Sequence, residues 1–161
     1  MKIKFLLLFL FIISFVNSQD KKTIYNPTDD AQKKIDSCIV EAKKEKKFIL
    51  LQIGGNWCIW CIRFHKLTQD NYDIRNSLMN NFIVYHLNYS KENKNEAILA
   101  KLGFPQRFGF PVFVILNENG VRIHTQQSDF LEDNNSGYDL KKVEKFLFNW
   151  SPKALDPNTY N

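Results

Sequence analysis

An α/β fold, with a mixed central sheet and helices on both of its faces, is what this sequence predicts. Three observations carry that prediction. Apolar runs at residues 48–53 and 112–116 read as strands buried on both faces. Apolar stripes at helical spacing precede, separate and follow the strands. Asn117-Glu118-Asn119-Gly120 is a turn that joins the last two strands as a hairpin. Helices between the early strands require parallel crossovers, and the final hairpin adds an antiparallel edge.

Composition sets the bounds. A chain of 161 residues fits one domain. Fourteen Phe, six Tyr and three Trp exclude disorder along the whole length. Only three Cys exclude a disulfide-dense scaffold. No apolar run reaches the ~18 residues of a membrane span, so stable insertion is not expected.

The elements follow in order. Lys2 and Lys4, an apolar run over residues 5–16 and the small residue Ser18 have the three parts of a secretory signal, with cleavage near Ser18–Gln19. As a helix that run would span only ~18 Å, short of the hydrocarbon layer. Residues 19–28 read as an extended lead-in, with Pro27 as a breaker. Thr28 or Asp29 would cap a helix over residues 29–46, whose apolar face is Ala31, Ile35, Cys38, Ile39 and Ala42. Helices are then expected near 58–67, 72–80 and 92–102, and strands at 82–88 and 121–125. Residues 126–139 are polar and read as a loop. Leu140, Val143, Phe146, Leu147 and Trp150 form a last helical stripe that Pro152 stops. The domain thus runs from 29 to 150, and 151–161 reads as a mobile tail.

The formal net charge is +5, and removing residues 1–18 takes away two Lys and no acid. Such a weakly basic chain calls for no nucleic-acid partner. Export would place it where disulfides persist, periplasmic if the source is Gram-negative.

The chemistry concentrates at Trp57-Cys58-Ile59-Trp60-Cys61, after a buried strand and at the start of a helix. Cysteines at i and i+3 on a helix share a face at disulfide range. The first sits where free N–H groups and the helix dipole favour a thiolate; the second lies one turn in. That asymmetry suits exchange: Cys58 attacks and Cys61 resolves. Two alternatives use the same residues. One is a purely structural disulfide. The other is a binding module or metal carrier, in which Cys58, Cys61 and His65 would hold zinc or copper. Covalent haem attachment is excluded, because Ile62 stands where a His would be needed. Cys38 reads as a small core residue and His124 as a solvent-facing strand residue.

With Trp57-Cys58-x-x-Cys61, Gly109-Phe110-Pro111 before a strand and Asn119-Gly120 in the hairpin turn, the chain resembles the thioredoxin superfamily. The resemblance covers residues 29–150 and looks closest to exported thioredoxin-like and thiol:disulfide interchange proteins. It implies a thioredoxin-like three-layer α/β/α fold, Cys58 as nucleophile, Cys61 as resolving thiol and Pro111 as a cis proline beside them. It also implies thiol–disulfide oxidoreductase activity on protein or peptide substrates, no cofactor beyond the cysteine pair, no metal, and a membrane electron donor. Trp57, Trp60, Phe110 and Pro111 are the expected substrate contacts, with Trp60 exposed on the helix cap.

Three departures stand out. Gln52 occupies the place of a buried Asp six residues before the first Cys. His86 falls near the place of a Lys on the next strand. These two are the candidate proton-transfer positions. The dipeptide Ile59-Trp60 lacks the His of strongly oxidising relatives, which predicts a reductant.

Overall fold

The computed structural model describes residues 23–160. The signal read at residues 1–18 lies outside them. Helix α1 is Ala31–Glu45. Its cap is Asp30, whose carboxylate accepts from the Lys33 N–H at 3.1 Å, so the helix starts just past the expected Thr28 or Asp29. Strand β1, Phe48–Gly54, is buried at every position but the first. It pairs parallel with β2, Phe82–Asn88, and antiparallel with β3, Val112–Leu116. Strand β4, Arg122–Gln127, completes the order β2-β1-β3-β4.

Helices α2, Ile59–Asp70, and α3, Tyr72–Asn81, lie between β1 and β2. Asn71 ends the first and caps the second, its Oδ1 accepting from Ile74 N at 2.9 Å. Helices α4, Glu96–Lys101, and α5, Leu140–Asn149, follow β2 and β4.

Alternation along β1 divides the core. Ile49, Leu51 and Ile53 face α1 and α4, with Tyr85, Leu87, Val112 and Val114. Leu50 joins Phe64, Ile74, Phe113, Val143 and Leu147 beneath α2, α3 and α5. Each such side chain, fully buried, contributes about 1.5–3 kcal/mol of transfer free energy. Two apolar layers on opposite faces of one sheet make the expected α/β/α arrangement.

Four local expectations need correcting. Helix α4 starts at Glu96, not near 92, because Asn side chains hold 88–95 as a loop. Asn88 Nδ2 donates to Asn93 O at 2.9 Å and Asn95 Nδ2 to Asn88 O at 2.8 Å. The 126–139 segment is not simply a polar loop. A short 3-10 helix at Ser128–Leu131 and a bridge between Glu132 and Tyr138 bury Leu131 and Tyr138. Helix α5 ends before Pro152 as expected, but Pro152 also opens a further helix in the segment read as a tail: Ser151 Oγ accepts from Ala154 N at 3.2 Å and caps α6, Pro152–Leu155. His124 is half-buried, stacked on Trp150 with ring centroids 3.9 Å apart.

Candidate active site at the start of helix α2

Strand β1 delivers the chain to Gly54-Gly55-Asn56, and the turn releases it at Trp57. Cys58 is the N-cap of α2, with extended backbone (φ −87°, ψ 105°). Its Sγ accepts from the Cys61 N–H at 3.1 Å. Cys58 and Cys61 are joined as a disulfide, with Cα atoms 5.2 Å apart. A first-turn N–H aimed at the Cys58 sulfur, together with the helix dipole, is the arrangement that lowers a thiol pKa once the bond is reduced. Burial differs little between the two sulfurs' residues: Cys58 is 4% exposed and Cys61 0%.

The floor beneath the pair is polar. Gln52 is buried and lies opposite His86 on β2 and Phe113 on β3. Its amide Nε2 donates to Tyr25 Oη at 2.7 Å and to the Cys61 carbonyl at 3.2 Å. Tyr25 is fully buried, and its ring meets His86 edge-on at 5.6 Å. Burial pushes the Tyr25 phenol well above its ordinary value. Burial also pushes His86 down to about 4, with a lesser push from His65, so this imidazole is neutral at pH 7. Beside it opens a cavity of about 260 Å³ lined in part by Gln52, Phe64, His65, Thr68 and His86.

Tyr25 arrives from the lead-in segment, to which residue patterning assigns no role. Asn56 clamps it: Asn56 Oδ1 accepts from Ile24 N and Tyr25 N, both at 3.0 Å, and Nδ2 donates to Tyr25 O at 2.7 Å. One sequence signal existed, since Ile24-Tyr25 is an apolar pair in an otherwise polar stretch. Gly54 makes room for the arrangement. A Cβ there would overlap the Cys61 sulfur and lie 3.0 Å from Tyr25 Oη.

Trp57 and Phe110 come together on the outer side, and Pro111, next in the chain, is buried. Trp57 is 59% exposed, and its indole N–H donates to Tyr89 O at 2.8 Å. Its ring meets Phe110 edge-on at 5.5 Å, and Phe110 stacks on Tyr89 at 4.7 Å. Phe110 also packs against the cysteine cluster. The Phe110–Pro111 peptide is cis. Trp60 differs from expectation. It is half-buried, edge-on to Tyr138 at 5.6 Å, with the Arg63 guanidinium over its ring. Its ring turns toward the core because Tyr138 is buried there, and Trp57 is the exposed indole.

His65 lies against His86, ring centroids 5.3 Å apart. Among the described residues no group of three or more His, Cys, Asp or Glu is placed to hold a metal ion. None of the helices among these residues is long and apolar enough to cross a membrane.

Residues 35–129 match the family model described as a thioredoxin-like domain. The chain belongs to the thioredoxin-like family. Solved structures agree on the fold. A disulphide isomerase from Xylella fastidiosa Temecula1 superposes with a TM-score of 0.67 at 22% identity, covering 77% of this chain and 93% of that one. The C-terminal domain of DsbD from Neisseria meningitidis superposes in its oxidised form with a TM-score of 0.53 at 16% identity. That match covers 76% of this chain and 96% of the domain. No curated protein matches the chain at significant similarity. The thioredoxin-like fold and its bonded cysteine pair support thiol–disulfide oxidoreductase activity.

Proposed function

We propose that this thioredoxin-like protein exchanges disulfides with protein or peptide substrates through Cys58 and Cys61, and that it acts as a reductant. One observation carries the reading. The Cys58 sulfur sits at a helix N-cap and accepts a backbone N–H, where negative charge is stabilised.

The reduced protein would react in two steps. The Cys58 thiolate attacks a substrate disulfide, forming a mixed disulfide and releasing the first substrate thiolate. Cys61 then attacks Cys58, forming the bond seen here and releasing the second. Two electrons pass to the substrate, and the cysteine pair alone carries them. Trp57 and Phe110 supply an apolar rim for the substrate chain, with Pro111 and Trp60 behind them. The Ile59-Trp60 dipeptide brings no imidazolium to stabilise the reduced form, which favours a low potential. The charged and apolar pattern of residues 1–18 supports export, and an exported reductant needs electrons from a membrane donor.

The test is reduction of insulin disulfides by dithiothreitol in the presence of catalytic protein. Wild type should accelerate it, Cys58→Ser should not, and Cys61→Ser should accumulate mixed disulfides. Full activity in the Cys58 variant would overturn this reading, and no acceleration by wild type would favour a structural bridge.

A further inference from the structure

We infer that Tyr25, delivered from the segment ahead of α1, holds the Cys61 sulfur as a hydrogen-bonded thiolate during resolution, through a chain running from the Gln52 amide to the Tyr25 hydroxyl to Cys61 Sγ. This rests on the exchange reaction proposed above. Gln52 stands where the resemblance places a carboxylate, and an amide cannot take the Cys61 proton. It does the opposite and donates, to Tyr25 Oη at 2.7 Å. An oxygen accepting that bond keeps its own proton for a second partner, and the bond it accepts makes it a stronger donor.

Once the disulfide opens, that second partner is the Cys61 sulfur. Tyr25 Oη and Cys61 Sγ crowd the same point above Gly54, and the two side chains share one buried cluster with Cys58. Both are fully buried in the disulfide-bonded protein. The Asn56 clamp fixes the Tyr25 backbone on both its N–H and its carbonyl. Tyr25 lies outside the residues that match the family model, so the device belongs to this chain's own lead-in.

The step balances as follows. Cys61 gives its proton to solvent, and the thiolate is held by the Tyr25 O–H. It attacks Cys58 Sγ, the Cys58–substrate bond breaks, and the substrate thiolate takes up a solvent proton. Tyr25 neither gains nor loses a proton; burial keeps it a donor at all working pH. The other titratable groups facing this space are Cys58 on α2, His86 on β2 and Tyr138, which interacts electrostatically with Tyr25. His86 is neutral above pH 6 and the buried Tyr138 phenol is neutral throughout.

The test follows thionitrobenzoate release from the aromatic disulfide DTNB by the fully reduced protein between pH 6 and 9, in a Cys38→Ser background that removes the third thiol. The first equivalent reports attack by Cys58, the second attack by Cys61. Tyr25→Phe should leave the first phase within about twofold and slow the second about tenfold at pH 7. The pH midpoint of the second phase should rise by about one unit, so that the variant recovers at high pH. Gln52→Leu should move that midpoint in the same direction by less. An unchanged second phase in Tyr25→Phe, or an equal loss in both phases, would overturn the inference. No first phase in wild type would instead overturn the exchange reaction itself.

Discussion

The sulfur of Cys58 accepts a hydrogen bond from the backbone N–H of Cys61 at 3.1 Å. In the reduced protein this bond, with the α2 dipole, should hold Cys58 as a thiolate near neutral pH. Alkylation of Cys58 by iodoacetamide is expected to have its midpoint at or below about pH 7.5, against about 8.5 for a free thiol. A midpoint at the free-thiol value would show that the helix start does not activate this sulfur.

Gly54 is the second point of control. Its missing side chain is the space that the Cys61 sulfur occupies. Gly54→Ala should destabilise the oxidised protein by about 2 kcal/mol through overpacking. The loss should shrink on reduction, when the Cys61 side chain is free to turn. Urea unfolding of both redox forms checks this; equal losses in the two would place the strain elsewhere.

Asn56 ties the lead-in to the turn before Trp57. Asn56→Ala should cost about 1–2 kcal/mol and free the strap. Amide hydrogen exchange should speed up at Ile24 and Tyr25 while β1 and β3 stay protected. Unchanged protection at these two amides would mean that burial of the Tyr25 ring alone holds the segment.

His86 gives a pH signature. Burial lowers it from 6.5 to about 4 in the folded protein. Between those values the unfolded chain binds more protons, so stability rises with pH there. The His86 contribution is intact above about pH 6.5 and falls away as pH drops toward 4, by on the order of 3 kcal/mol. His86→Gln should flatten the wild-type slope over this window in urea titrations, and an unaltered slope would contradict the burial argument.

The strands were legible because their signals are local. Residues 112–116 are a continuous apolar run, residues 82–88 are apolar but for His86 and Asn88, and both strands fall on the residues expected. Helix α2 was legible for the same reason, as were the cysteines at its start. What escaped the sequence depends on contacts between distant residues. Tyr25 looks like part of a polar lead-in until Asn56, 31 residues on, accepts its N–H. His124 reads as solvent-facing until Trp150 stacks on it. The helical composition of 92–102 fails at its start because Asn93 and Asn95 turn their amides to the backbone. Trp57 and Trp60 show the same limit, since motif spacing does not say which indole Tyr138 will draw inward.

The most direct test of the account is the equilibrium between the Cys58–Cys61 dithiol and its disulfide in graded glutathione buffers, read by thiol labelling and intact mass. The account predicts a potential near or below about −250 mV, the range of a reductant. A potential near about −150 mV would make the protein a disulfide donor or isomerase and contradict the proposed direction of exchange.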